Sequence, residues 1–253
     1  MPVASITSCQ NLDFLPFFHY FRVKICKIWL VNKLVSVIIP VKNGSNYLRE
    51  ALESLQGQED VPLQIIVVDD GSTDDTPAIA SSYGCEVVSH PVCKGQVAAK
   101  NTGLANAKGE YVMFMDHDDV MRPGVLKVLC EALEADPGIS AVQAMVKDFI
   151  SPEIGSLPGT VARPEPYYGL FTGAILIRRS VFEAIGPFSE SRNTGEIIEW
   201  ASKMEAKGFS IKKLAIVSTD RRLHNSNFGK TNKGTEFKDY ASILRERLKM
   251  MRK

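Results

Sequence analysis

Histidine and tryptophan are scarce in this sequence, with four and two copies in 253 residues. The histidines (His19, His90, His117 and His224) form no zinc-type pattern. The five cysteines, Cys9, Cys26, Cys85, Cys93 and Cys130, are scattered and odd in number. That argues against a disulfide framework and reads as reduced thiols of a cytoplasmic protein. Charge of one sign is missing too: 30 basic and 29 acidic residues leave a net charge of +1. No broad field therefore draws the chain to nucleic acid or to an anionic membrane. No run is long and apolar enough to span a bilayer. The nearest, Phe14 to Val31, is interrupted by Pro16, His19, Arg22, Lys24 and Lys27. It also lacks the basic start and small-residue cleavage site of a signal peptide. It reads either as an amphipathic membrane-surface segment or as a leader outside the folded unit, and residues 1–33 receive no role. Internal repeats and low-complexity tracts are absent.

What is present is an alternation of apolar runs and helical stretches, in a chain that is 45% hydrophobic and 23% charged. Strands are expected over Leu34–Val41, Leu63–Val68, Glu86–Ser89, Tyr111–Met115, Ala141–Val146 and Gly173–Ile177. Helices are expected from Ser45, a plausible cap, to Gln56, and from a Thr73 or Asp74 cap to about Tyr83. Further helices are expected over Gln96–Ala107, from Pro123 to near Asp136, over Ser180–Ile185 and over about Gly195–Lys207. Residues 148–168 read as a loop, and Glu236 to Lys253 as a basic amphipathic helix. Continuous apolar strands in a βαβα order predict an α/β fold with a Rossmann-like, mostly parallel sheet and helices on both faces.

The densest chemistry lies in Asp116-His117-Asp118-Asp119, directly after the apolar run Tyr111–Met115. Ligands of open α/β sheets bind at the carboxyl ends of strands. Three carboxylates in four residues repel one another, and a hard divalent cation with oxygen ligands relieves that. The stretch therefore reads as a metal–diphosphate site or, more plainly, as a solvated acidic turn.

Four stretches together are similar to a known family. Val35-Ser36-Val37-Ile38-Ile39-Pro40, Val67-Val68-Asp69-Asp70-Gly71-Ser72-Thr73-Asp74, Lys100-Asn101-Thr102-Gly103 and Phe114-Met115-Asp116-His117-Asp118-Asp119 follow the order and spacing of family 2 glycosyltransferases. The resemblance covers about residues 34–230 and implies the GT-A fold. It implies a nucleotide-binding half over about 34–120, an acceptor half over about 121–235 and a C-terminal basic helix over 236–253. The implied reaction moves a sugar from a nucleotide diphosphate sugar, uridine-linked, to a hydroxyl acceptor. Pro40, Val41, Lys42 and Asn43 then line the nucleotide pocket, with Lys42 where relatives often carry a base-stacking tyrosine. Asp70 resembles the acid that hydrogen-bonds uracil, although a turn and helix cap explains this stretch equally; Asp74 is assigned to capping. Lys100 is a point charge toward the diphosphate or base, or a solvated helix lysine. Asp116 and Asp118 match the D-x-D signature and would hold Mn2+ or Mg2+. His117 fills the variable position and faces donor or solvent, and Asp119 binds sugar hydroxyls or buttresses its neighbours. Arg222-Leu223-His224-Asn225-Ser226-Asn227 resembles an R-x-H-x-x-N stretch. There His224 completes the metal shell and Arg221 or Arg222 neutralises the leaving diphosphate, unless the stretch is a basic surface loop.

One departure stands out. Relatives often supply the general base from a Glu-Asp pair at the start of a late helix, whereas here Ile197 follows Glu196. Helical spacing puts Glu196, Glu199, Trp200 and Lys203 on one face, with Ile197, Ala201 and Met204 toward the core. Glu196 or Glu199 is the expected base, Glu196 preferred, and Glu199 can instead pair with Lys203. Trp200 forms an acceptor platform or belongs to the core. Gly173 and Ala174 permit close approach of sugar or acceptor; the aromatics of Tyr167–Phe171 stack on sugar or pack the loop. The expected protein is an inverting, metal-dependent transferase, with a peripheral membrane contact or a homodimer open at its tail. Ile197 leaves a silent sugar-nucleotide-binding module as the alternative. A nucleotidyltransferase fits less well, because Pro40–Ser45 is a poor glycine-rich phosphate loop.

Overall fold

Strand β1 (Val35–Val41) is buried along its whole length, as expected for a β-branched run covered on both faces. The computed structural model describes residues 33–155, 162–169, 171–191, 195–225, 227 and 242. The expectations for residues 1–32, and for the basic helix 236–253 apart from Ser242, lie outside the described residues. β2 (Leu63–Asp69) and β4 (Tyr111–Phe114) flank β1 in parallel, and β3 (Glu86–Ser89) extends the sheet beyond β2. The remaining strands are β5 (Val120–Met121), β6 (Ala141–Ile150), β7 (Ile175–Arg178) and β8 (Ile211–Leu223). Together they make one eight-stranded sheet of order β3-β2-β1-β4-β7-β6-β8-β5.

Alternate residues of β1 serve opposite layers. Val35, Val37, Ile39 and Val41 pack in one core with α1 (Leu48–Gln56) and α4 (Val125–Glu134). Ile38 packs in the other core, with α3 (Gln96–Asn106), α5 (Arg179–Ile185) and α6 (Glu196–Ala206). The short α2 (Thr76–Ser82) lies beside α1. The helices thus cover both faces as expected. Gly103 lets α3 sit on the sheet: a Cβ there would lie 2.2 Å from Ile38 Cγ2.

The second half of the sheet departs from the sequence reading. β7 is antiparallel to both β4 and β6, while β6 and β8 run parallel over a long ladder. β6 continues to Ile150, so residues 148–150, expected in a loop, are strand. β8 was not expected at all. Its first half is only partly buried, and register shifts beside Met145 interrupt its pairing. Both features blur the two-residue alternation that marks a strand. Helix starts also shift. α1 begins at Leu48 after a turn rather than at a Ser45 cap, and α4 begins after Gly124, whose φ of 67° suits glycine. The carboxyl ends of β1, β2 and β4 lie side by side, and the loops that follow them build the site.

Candidate active site

The loops after β1 and β2 are tied together by their own polar groups. Asn43, in the left-handed region at φ 53°, donates its N–H to Ser72 Oγ (2.8 Å) and accepts from the Thr73 N–H through Oδ1 (2.8 Å). Gly44 N–H donates to Thr76 Oγ1 at 2.9 Å, and Ser45 N–H to Asp74 Oδ2 at 3.1 Å. Burial pushes the Asp74 carboxyl up, but hydrogen bonds from Thr76 and Ser45 outweigh it and bring it to about 2. Asp74 therefore staples the loop after β1 to the start of α2, where Asp75 rather than Asp74 holds the N-cap position, and Asn43 is a clamp between loops. Lys42 beside it is exposed.

Asp70 is buried and takes four protein donors. Oδ1 meets His90 Nδ1 (2.7 Å) and the Lys94 N–H (2.8 Å), and Oδ2 meets Cys93 Sγ (3.0 Å) and the Gly95 N–H (2.8 Å). Burial raises this carboxyl, yet His90, Lys94, Cys93 and Gly95 together bring it down to about 2. His90 passes the chain of contacts to Thr102 Oγ1 at 3.0 Å. Asp70 thus fixes the loop that leads into α3.

After β4, the chain turns through the acid cluster. Asp116 Oδ1 accepts from Gln96 Nε2 at 3.2 Å. Burial raises its carboxyl against the pull of Lys100, and Asp118 adds to the rise. Asp118 goes the other way: burial raises it, but the hydrogen bond from His224 and the charges of His117 and His224 bring it below the ordinary range. His224 Nε2 lies 2.7 Å from Asp118 Oδ2. Asp119 is held well above the usual carboxylate range by burial and by the charges of Asp118 and Asp116. Its Oδ1 accepts the Arg222 N–H at 3.0 Å. His117 lies against Gly44, where a Cβ would come within 2.5 Å of its ring. The cluster is a place where added positive charge is favourable.

Lys100 and Glu196 face the same acids from the side. Lys100 Nζ is 2.5 Å from Glu196 Oε1, with the residues only 3% and 8% exposed. Glu196 opens α6, and Gly195 before it takes φ 77°.

Residues 36–189 match Glycosyl transferase family 2. The chain belongs to that family. Among curated relatives it is 29% identical over 207 residues to the pre-mycofactocin glycosyltransferase of Mycobacterium tuberculosis, a match covering 74% of this chain and 43% of that protein. It spans less than half the length of the first curated relatives it matches. S. aureus TarS 1-349, solved with UDP-GlcNAc, superposes with a TM-score of 0.67 at 22% identity, over 84% of this chain and 65% of that one. The glucosyl-3-phosphoglycerate synthase of M. tuberculosis, solved with Mn2+, UDP and phosphoglyceric acid, gives 0.61 at 22% identity, over 85% and 78%. The fold shared with these structures is GT-A.

Within this family 2 member, several expected site residues occupy other posts. Among the described residues no group of three or more His, Cys, Asp or Glu side chains is arranged to hold a metal ion. Of the expected Asp116, Asp118 and His224 ligand set, the fold brings His224 and Asp118 together, with Nε2 2.7 Å from Oδ2. Arg222, expected at the diphosphate, is buried structure. Its Nε donates to the Asp118 carbonyl (2.9 Å), Nη1 to Ser151 Oγ (3.1 Å) and Nη2 to Glu50, and its guanidinium lies over the rings of Tyr47 and Phe149. Trp200 is core rather than platform: 2% exposed, stacked on Phe182 at 4.4 Å, with Nε1 donating to the Gly186 carbonyl. The buried face of α6 is accordingly Ile197, Trp200 and Met204, with Glu196 at its end. Ala174 is fully buried and presents no surface to a ligand, while Gly173 lies against the end of β4 and Asp119. Glu199 pairs with Lys203 at 2.8 Å.

The sequence reading missed Gln96, Tyr47 and Glu50. Tyr47 packs on the His224 ring at 4.6 Å, and its hydroxyl donates to Glu153 at 2.7 Å. None of the three sits in a family motif. Only the polar start of a helix after a strand pointed to Gln96. No helix among the described residues is long and apolar enough to cross a membrane. Cys85, Cys93 and Cys130 are free thiols.

Proposed function

We propose that the chain moves a glycosyl unit from a nucleotide diphosphate sugar, uridine-linked, to a hydroxyl of its acceptor, with inversion and with Mn2+ or Mg2+. The observation that carries the reading is the acid cluster at the carboxyl edge of the sheet, where burial and mutual repulsion hold Asp116 and Asp119 above their ordinary range. Such a site favours a cation and what the cation brings with it. Hard ions of this kind commonly take one or two protein carboxylates and fill the shell with substrate phosphates and water. Asp116 and Asp118 fit that pattern without a third protein ligand. When bound, the ion supplies charge for the departing diphosphate. The glucosyl-3-phosphoglycerate synthase solved with Mn2+ and UDP supports the same reading.

The chain's own residues do the rest. Lys100 adds fixed positive charge beside Asp116 and holds Glu196. Glu196 accepts the proton of the attacking hydroxyl. The position after it, Ile197, is core and has no proton to exchange. His224 and Gln96 orient Asp118 and Asp116. Asp119, held by the Arg222 N–H, buttresses the cluster or meets sugar hydroxyls.

The test is thermal melting with UDP and a panel of UDP-sugars, with and without Mn2+. A ligand at a hundred times its dissociation constant stabilises by about 2.7 kcal/mol. A metal-dependent rise with UDP compounds, lost in Asp118→Asn, is the expected result. No response to any nucleotide in Mn2+ sinks the proposal. A second reading, a binding module without turnover, draws on Ile197 and on the lysine partners of both Glu196 and Glu199. Donor binding with no transfer to any acceptor in a hydroxyl panel favours it.

A further inference from the structure

Beyond the acid cluster, on the side of the sheet away from β1 and β2, two arginines, Arg221 and Arg163, gather around a single carboxylate, Asp148. Asp148 on β6 is the Cα partner of Arg221 on β8. The Asp148 side chain is buried and already engaged by neutral donors: Tyr167 Oη at 2.7 Å on Oδ1 and the Arg163 N–H at 3.2 Å on Oδ2. Arg221 Nη1 stands 3.6 Å from Oδ1, beyond hydrogen-bond range, with its side chain 31% exposed. Its guanidinium lies 4.8 Å from the Phe171 ring centre, and that of exposed Arg163 lies 4.1 Å from the Tyr167 ring centre. Asp220, next along β8, is taken by both prongs of Arg122. Among the described residues no other carboxylate pairs with either guanidinium. One unit of positive charge is left over, on groups that aromatic rings hold in place, with Tyr167 also bonded to Arg221. Planar guanidinium edges of this kind suit an oxyanion.

The pair borders the acid cluster. The Arg222 N–H binds Asp119, which places Arg221 one residue away, and the charge of Arg221 is felt at Asp119. Phe171 leads into the turn at Gly173, which lies against Asp119 and the end of β4. In the strand order, β6 and β8 are separated from the β1–β2 loops by β4 and β7.

We propose that the acceptor is an anionic hydroxyl compound whose phosphate or carboxylate is bound by Arg221 and Arg163. This rests on the transferase reading above and names the acceptor class for it.

The test uses the full chain saturated with Mn2+ and UDP, so that the donor's diphosphate position is filled. Glycerol 3-phosphate, glycerate and glycerol are then titrated in by calorimetry. Either anion is expected to bind and glycerol not to bind; whichever of the two binds more tightly tells phosphate from carboxylate. Arg221→Ala and Arg163→Ala are each expected to weaken the anion at least tenfold and to change UDP affinity less than twofold. The Arg163 side chain is exposed and its Asp148 contact is through backbone, so its removal keeps the test valid if Arg221→Ala fails to fold. Equal binding of glycerol, or no binding of either anion, overturns the proposal. So does anion binding that UDP abolishes together with UDP affinity that falls in Arg221→Ala, since the guanidiniums then serve the donor. Absence of UDP binding at the first step is a failure of the transferase reading, seen before any anion is added.

Discussion

Replacing Lys100 by Met removes one member of a buried ion pair whose nitrogen and oxygen are 2.5 Å apart. At an effective dielectric of about 20, the gross attraction at that separation is about 7 kcal/mol. Desolvation of each ion costs several kcal/mol, so the intact pair is close to break-even against apolar residues of similar size. Loss of one partner is different, because Glu196 would keep its desolvation cost without the compensating charge. Lys100→Met is therefore expected to destabilise by about 3–5 kcal/mol, whereas Lys100→Met with Glu196→Leu is expected to lie within about 1–2 kcal/mol of the wild type. Urea unfolding of the two single variants and the double variant closes the cycle. The same proteins separate folding from chemistry. The double variant is expected to be folded and inactive, since it lacks Glu196, the proposed proton acceptor. A Lys100→Met cost below about 1 kcal/mol would refute the claim that the pair is buried and mutually dependent. Undiminished transfer by the folded double variant would remove Glu196 from the proposed chemistry.

Asp70 carries a pH signature. Its folded value of about 2 lies below the ordinary 3.8, so its contribution is fully present above about pH 4 and is lost as pH falls toward 2. The difference corresponds to about 2 kcal/mol. Asp70→Asn is thus expected to be less stable than wild type by about that much at pH 7, with the gap closing by pH 2 to 3; a gap independent of pH in urea melts would contradict the assignment. Gly103→Ala forces a Cβ to within 2.2 Å of Ile38 Cγ2 and is expected to cost about 1–3 kcal/mol by overpacking, whereas Gly84→Ala, with no atom near its Cβ position, reports backbone strain alone. Trp200→Phe loses the Nε1 bond to the Gly186 carbonyl and part of the stack on Phe182. It is expected to lower the melting temperature and leave the acceptor KM unchanged, and a raised KM with an unchanged melting temperature would return Trp200 to the acceptor site.

The first half of the fold was readable because β1, β2 and β4 are largely apolar runs and acids follow β2 and β4 at their ends. β8 was not, because partial burial and register shifts beside Met145 break the alternation on which strand reading depends. The site shows the same division. Letters in a motif told where charge gathers but not what each charge touches. Lys100 meets Glu196, His224 meets Asp118 and Arg222 meets Glu50, at sequence separations of 96, 106 and 172 residues. A local reading cannot see partners so far apart, and so gave Arg222 to the diphosphate when its donors are already engaged in the protein. Trp200 had two readings, platform and core, for a related reason. Helical spacing put it beside Glu196 and Glu199, but a face three residues wide spans both the pocket edge and the core, and Phe182 and Phe188 claim the large ring. Asp116 and Asp119, the acids held above their ordinary range, differ in what offsets them: Lys100 beside Asp116 is paired with Glu196, while Asp119 takes the Arg222 N–H and feels the charge of Arg221. Burial at the carboxyl edge of the sheet thus favours the neutral form of both carboxyls, and on the proposed reading a bound cation would favour their ionised form.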